Sequence, residues 1–375
     1  MNARRHRLAN HIAMQSAAAA PSGSAHEITA LEAYPLREPS SGRRYTVVKV
    51  RTKSGLTGFG EAPAITADEI GKARQAISGK IATAYATIST GTTLDGAINM
   101  ALLDITAKAA SAPVYRLLGG PTRHKVRALA AITGDSNSDL ARSMGEGMKA
   151  GYRAFQVPLP ATTARNHGQN FDRAVRTRME SLRSAAGENI DFVLDGAGKL
   201  TPGDAASVAS SLERFHLLWF NEPCPLTNLH TVQKITDESV TPLGFGRNIE
   251  NPSLFQDMMR EGIIDILRPD LHRYGMSKIR QVATLAETYY TAVAPNHEGG
   301  PIATAAALHL AAGLPNFFIQ HVPLPAAEGD RRMRAEILSQ PIEQVQEGFL
   351  PLPTGAGLSI EVNEAALNKY KDTSA

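Results

Sequence analysis

Asp191-Phe-Val-Leu-Asp195, His216-Leu-Leu-Trp-Phe-Asn-Glu222, Pro242-Leu-Gly-Phe-Gly-Arg247 and Ile264-Asp-Ile-Leu-Arg-Pro-Asp270 follow one another along the chain. Each is a short apolar run that ends in a chargeable residue. Such runs, recurring at roughly 25-residue intervals with amphipathic segments between them, read as buried parallel strands joined by crossover helices. If the units close into a barrel, the residues just past each strand gather at one mouth, where this architecture does its chemistry. Asp195, Glu222, Arg247 and Asp270 are therefore expected to converge.

Outward from that stretch, the same pattern predicts barrel strands over 126–132, 154–157, 192–194, 217–220, 243–245, 264–267, 291–294 and 317–319. Helices are expected over 139–150, 170–186, 201–214, 228–239, 253–261, 277–289 and 301–312. Before the barrel, 28–34, 46–51 and 55–61 alternate or carry β-branched residues, and Lys53-Ser-Gly55 signals a turn. These predict a three-stranded antiparallel sheet, followed by helical spacing over 67–89 and 94–110. Gly119-Gly-Pro121 punctuates the chain between the two units. Beyond His321 the pattern lapses, and the Pro- and Gly-rich 348–362 suits an extended return across the surface.

The chain of 375 residues can bury a large core, with 43% apolar and 20% charged residues and a net charge of +3. Lys and Arg form no basic stripe interleaved with aromatics, which argues against nucleic acid as a partner. The single cysteine, Cys224, excludes a disulfide framework and a cysteine-rich metal site. No apolar run approaches the roughly 20 residues of a membrane span, so a soluble protein without a membrane partner is expected. Residues 1–26 read as a disordered tail, and a cytoplasmic location follows. Arg4-Arg-His-Arg7 ahead of an alanine run resembles a twin-arginine export leader only weakly, because His11, Gln15 and Ser16 interrupt the apolar segment.

Several motifs carry a family resemblance. Asn99-Met-Ala-Leu-Leu-Asp-Ile-Thr-Ala-Lys108, Pro113-Val-Tyr-Arg-Leu-Leu-Gly-Gly120 and Trp219-Phe-Asn-Glu-Pro223 resemble the mandelate racemase and muconate lactonizing group of the enolase superfamily. So do Asp265-Ile-Leu-Arg-Pro-Asp270, Pro301-Ile-Ala-Thr-Ala-Ala306 and Leu350-Pro-Leu-Pro-Thr-Gly-Ala-Gly-Leu358. The resemblance implies a (β/α)7β modified TIM barrel over 124–344 with an α+β N-terminal capping domain over 27–123, completed by 345–375. It further implies a small carboxylate or acid-sugar substrate, a homo-oligomer, and abstraction of the proton α to a carboxylate, with Mg²⁺ holding the enediolate. Such a proton is weakly acidic, so preorganised positive charge and a base at about 3 Å are physically required.

The resemblance implies metal ligands at Asp195 and Glu222, but the third ligand position holds Arg247. A dication at about 4 Å from a guanidinium meets repulsion of about 8 kcal/mol at an effective dielectric near 20. Arg247 thus replaces the metal, or swings outward while Glu250 supplies an oxygen, or marks a dead site. Gln156 stands where the family often has a lysine base. Asp270 matches the acid of an Asp-His dyad, whose partner in Ala294-Pro-Asn-His297 is either Asn296 or His297. His321 is a candidate acid or a hydrogen-bonding contact, and Arg43, Arg44, Tyr45 and His167 are candidate substrate contacts on loops. Cys224 and His309 read as structural. The expected activity is a lyase, an acid-sugar dehydratase with Asp270 orienting His297 as base and His321 as acid. The alternatives are a racemase, epimerase or cycloisomerase, or a catalytically inactive carboxylate-binding homologue.

Overall fold

The computed structural model describes residues 24–161 and 168–373. The expectations placed on residues 1–23 of the N-terminal tail, and on His167, lie outside the described residues. Residues 24–26, expected to belong to that tail, are instead bonded to the folded chain, with Ser54 N donating to Ala25 O at 2.8 Å and Ala82 N to His26 O at 2.9 Å.

An antiparallel sheet comes first, β1 (Ile28–Arg37), β2 (Arg44–Thr52) and β3 (Thr57–Pro63), in that order. Val47, Val48 and Val50 make β2 its buried centre. The helix Asp95–Ala109 lies directly against β3, and glycines permit the approach. A Cβ on Gly58 would sit 2.0 Å from Ala101 O, and one on Gly60 1.9 Å from Ala97 O. The helix expected over 67–89 is shorter, Ala67–Ile77, with a 3-10 turn at Ala82–Ala84. It stops because Lys80 must return its carbonyl to Ile28 N, 2.8 Å away, through Gly79 at φ 74°.

The barrel follows: β4 (Lys125–Ala131), β5 (Ala154–Pro158), β6 (Asp191–Asp195), β7 (Trp219–Asn221), β8 (Leu243–Phe245), β9 (Ile266–Leu267), β10 (Ala292–Val293) and β11 (Gln320–His321). Neighbours pair in parallel in chain order, and β11 pairs β4. The eighth strand, expected over 317–319, is staggered. Its start touches β10 only, through Phe318 N to Val293 O at 2.9 Å, while its ladder with β4 forms at Gln320 and His321. Side chains alternate as strands require. Leu129, Ala154, Val193, Trp219, Ile266, Ala294 and Ile319 fill the barrel. Phe155, Phe192, Leu194, Phe220 and Leu267 face the surrounding helices.

One helix begins earlier than its apolar spacing suggests. Leu271–Glu287 starts straight after its N-cap Asp270 and kinks at Gly275, where φ is 64°. The kink lets Ser277 N reach Asn99 Oδ1 of the first unit at 3.0 Å. After the barrel comes the helix Glu328–Ile337, which the sequence pattern did not show. Its Asp330 accepts from the backbone N–H groups of Ser40 and Ser41 at 2.7 and 2.9 Å, tying down the β1–β2 loop. A last strand, β12 (Phe349–Pro351), pairs antiparallel with β4. The chain then returns to the first sheet, where Asp372 N donates to Pro35 O at 2.8 Å. Among the described residues no helix is long and apolar enough to cross a membrane.

Candidate active site

The strand ends bring Gln156, Asp195, Glu222, Arg247, Arg268, Asn296 and His321 to one end of the barrel. Asp195 ends β6, and both its oxygens are taken. Oδ2 accepts from Gln156 Nε2 at 2.9 Å and Arg247 Nη1 at 3.3 Å. Oδ1 accepts from Asn221 Nδ2 at 2.8 Å, Ala197 N at 3.2 Å and Arg247 Nη2 at 3.3 Å. Glu222 follows β7 in the left-handed region, φ 43°, which non-glycine residues adopt mainly where the surroundings enforce it. Its Oε1 accepts from the backbone N–H groups of Gly246 and Arg247, both at 2.8 Å.

Burial pushes the Glu222 carboxyl up, against the pull of those two N–H donors. Burial works against the Arg247 charge, yet Asp195 and Glu222 outweigh it and hold its pKa above the usual value. Arg247 is therefore a permanent cation paired with Asp195, and the Glu222 charge supports it from nearby.

The outward alternative is not realised. Arg247 faces Asp195, while the Glu250 side chain is 82% exposed and pairs with Arg273 at 3.2 Å. Among the described residues no group of three or more His, Cys, Asp or Glu side chains gathers to hold a metal ion. The donor set does not fit the octahedral oxygen cage that Mg²⁺ needs. Asp195 is saturated by N–H donors, and the Arg247 guanidinium lies against it.

The Asp270–His297 dyad is not formed either. Asp270 caps its helix by accepting from Arg273 N at 2.9 Å. Asn296 N donates to Pro269 O and Asn296 O accepts from Leu271 N, so Asn296 prolongs the β10–β9 pairing beside Asp270. The next residue points the other way. His297 is fully enclosed, with Nε2 3.5 Å from Thr304 Oγ1, and burial, then His272 and His321, put its pKa well below the ordinary range.

His321 donates from Nδ1 to His297 O at 3.1 Å. A carbonyl only accepts, so the proton of the neutral ring sits on Nδ1 and Nε2 carries the lone pair. That Nε2 is buried and has no partner among the described residues. Burial lowers the ring's pKa, Glu298 opposes and Arg268 adds to the lowering. His321 at rest is thus a neutral ring that presents a lone pair on Nε2.

Two partners escaped the sequence reading. Arg268 lies inside the barrel mouth over the Trp219 ring, and a charge within an apolar strand run was its available signal. His272 lies with Nε2 3.4 Å from Glu61 Oε1 of β3. Burial opposes its charge, but Glu61 raises its pKa. Spacing offered no signal for a contact made between separate units.

Above these groups lies a cavity of about 770 Å³, lined by Arg43, Arg44 and Tyr45 of the first unit and by Arg247, Asp270, His272, Asn296 and Glu298 of the barrel. Arg44 pairs with Asp372 at 2.9 Å, and Arg43 donates to Glu298 O at 3.1 Å. Tyr45 is buried, and its hydroxyl is held well above the usual range, chiefly by burial. Cys224 is buried and pushed up to about 11 by burial and by Glu222, as an inert thiol should be. His309 stacks on Tyr115 away from the mouth.

The family profile "Enolase C-terminal domain-like" matches residues 139–366, and that of the "Mandelate racemase / muconate lactonizing enzyme, N-terminal domain" matches 37–119. The D-galactonate dehydratase family member ManD of Chromohalobacter salexigens is 28% identical over 330 residues, covering 75% of this chain and 82% of that protein. The D-xylonate dehydratase of Haloferax volcanii is 29% identical over 289 residues, covering 73% and 68%. Among solved structures, a mandelate racemase/muconate lactonizing enzyme-like protein from Rubrobacter xylanophilus superposes with TM-score 0.84 at 22% identity, covering 94% of this chain and 99% of that one. An enolase from Agrobacterium radiobacter with bound sodium and L-malate superposes with TM-score 0.83 at 24% identity, covering 92% and 95%. At these identities the structural likeness shows the fold alone.

Proposed function

Because this chain belongs to the mandelate racemase/muconate lactonizing group of the enolase superfamily, we propose that it dehydrates a small acid sugar, with Arg247 in place of the usual metal. Members of this family bind Mg²⁺. The observation that carries the reading is the bidentate hold of Arg247 on Asp195, beneath a cavity wide enough for a sugar acid.

In this reading the substrate carboxylate meets the outer face of the Arg247 guanidinium. Its hydroxyls meet Asp270, Glu298 and Arg43, which line the cavity. The His321 Nε2 lone pair takes the α-proton. The C–H electrons move onto the carboxylate as an enediolate, which collapses to an enol as the β C–O bond breaks. The imidazolium returns its proton to the departing hydroxyl, which leaves as water, and the enol ketonises to an α-keto acid. One histidine then serves as base and acid on a single face. A racemase needs a base on each face, and among the described residues the second-strand side presents Gln156, whose amide is engaged at both ends.

Relatives named for D-galactonate and D-xylonate dehydration support the substrate class. Incubation with D-galactonate, D-xylonate and related acid sugars in deuterated buffer tests the reading. Deuterium at the α-carbon or an α-keto acid product is expected with at least one of them, and neither with Arg247→Gln. Folded protein that gives neither with any acid sugar contradicts it. The second reading, a carboxylate-binding protein without catalysis, is favoured by the missing Asp270–His297 contact, and binding without exchange is its signature.

A further inference from the structure

Among the described residues, Arg268 is a buried cation that bonds no carboxylate. It is 1% exposed. Nη1 donates to Asn221 Oδ1 at 3.2 Å and Gln156 Oε1 at 3.4 Å, and Nη2 donates to Asn296 Oδ1 at 2.7 Å. The guanidinium carbon lies 5.1 Å from the Trp219 ring centre, and Nε has no acceptor among the described residues. Its bonded partners are thus neutral amides. Burial, with Arg247 adding to it, lowers the Arg268 pKa to about 10. Keeping a charge in such a place is costly unless something charged arrives to meet its field.

The geometry also settles the neighbouring amide. A guanidinium can only donate, so the 2.7 Å bond fixes Asn296 with its oxygen toward Arg268. The NH2 end is then the free one. Asn296 lines the cavity, is 1% exposed, and its Nδ2 has no acceptor among the described residues. A buried donor left unpaired loses its solvation without return, so an acceptor from outside the chain is the economical explanation.

We propose that Asn296 Nδ2 is an oxyanion donor that binds the substrate carboxylate beside Arg247, and that Arg268 is its positioning residue. Arg268 locks the amide orientation and places positive potential behind the donor. As the α-proton leaves, negative charge grows on the carboxylate oxygens, and a donor already aimed needs no reorganisation to meet it. The inference rests on the carboxylate-substrate reading above.

Calorimetric titration with L-malate, a non-reacting hydroxy acid, tests it without relying on turnover. Wild-type protein should bind. Asn296→Ala should weaken binding about tenfold or more, as loss of a bond to a charged group does. Asn296→Asp, nearly the same shape but anionic, should weaken it further. Arg268→Gln should also weaken binding about tenfold alone, yet change it less than about twofold in an Asn296→Ala background, because the two act as one unit. A merely structural Arg268 would give additive losses. Folded Asn296→Ala that binds malate within about twofold of wild type overturns the inference and leaves the functional reading standing. Wild type that binds no malate overturns the inference, while the functional reading is decided by the acid-sugar incubations above. If Arg268→Gln does not fold, the two Asn296 variants decide.

Discussion

Arg247 grips Asp195 with both ends of its guanidinium, each at 3.3 Å, while its own backbone N–H serves Glu222 at 2.8 Å. One residue thus neutralises Asp195 with its side chain and caps Glu222 with its backbone. Removing the side chain while keeping the backbone separates these roles. Arg247→Gln should lower stability by about 1–3 kcal/mol in urea denaturation, because Asp195 keeps its amide partners but loses its cation.

Restoring the third acid should restore the metal. Arg247→Glu places three carboxylates at adjacent strand ends and removes the cation that repels an ion. This variant should take up one equivalent of Mg²⁺ and be stabilised by it in thermal melts, in a way that Asp195→Asn abolishes. Arg247→Gln should gain no such response.

Asp104 pins three pieces of chain together. Its carboxylate is fully buried and accepts from Phe59 N at 3.0 Å and Leu358 N at 2.8 Å, and Lys108 lies 2.8 Å away. Asp104→Ala leaves two buried N–H groups and a lysine without their acceptor. A loss of about 2–4 kcal/mol in chemical denaturation is expected, with a smaller loss for Asp104→Asn, whose oxygen still accepts.

His309 sets part of the acid limit. Buried, with Nδ1 accepting from Tyr115 N at 3.3 Å, it is lowered to about 4 from an ordinary 6.5. Below 6.5 the unfolded chain takes up this proton and the folded one does not, so stability falls as pH drops from about 6.5 to about 4. The contribution at stake is roughly 3 kcal/mol. His309→Gln should flatten the acid limb of a stability–pH curve. An unchanged limb would mean that another group sets it.

The barrel and the first sheet were legible because periodicity reports burial, and burial is what a strand or helix face shares along its length. Residues 243–245 were placed to the residue, since Pro242 and Gly246 bracket that strand. The helix at Leu271 was read late because its first turn is set by Asp270 as cap and broken by Gly275, leaving the apolar spacing to begin beyond the kink. Within the site, Asp195, Glu222 and Arg247 could be read because each ends a strand. Whether Asn296 or His297 faces the mouth could not, because it depends on where the β10 pairing stops. The bonds of Asn296 to Pro269 and Leu271 answer that in favour of Asn296. Arg268 and His272 stayed hidden because their partners, Asn296 and Glu61, come from distant chain segments.

The central claim is that a guanidinium fills the place of a divalent ion between Asp195 and Glu222. Calorimetric titration of the wild-type protein with Mn²⁺ tests it most directly. No saturable binding is predicted. One Mn²⁺ bound stoichiometrically, and lost in Asp195→Asn or Glu222→Gln, would contradict it.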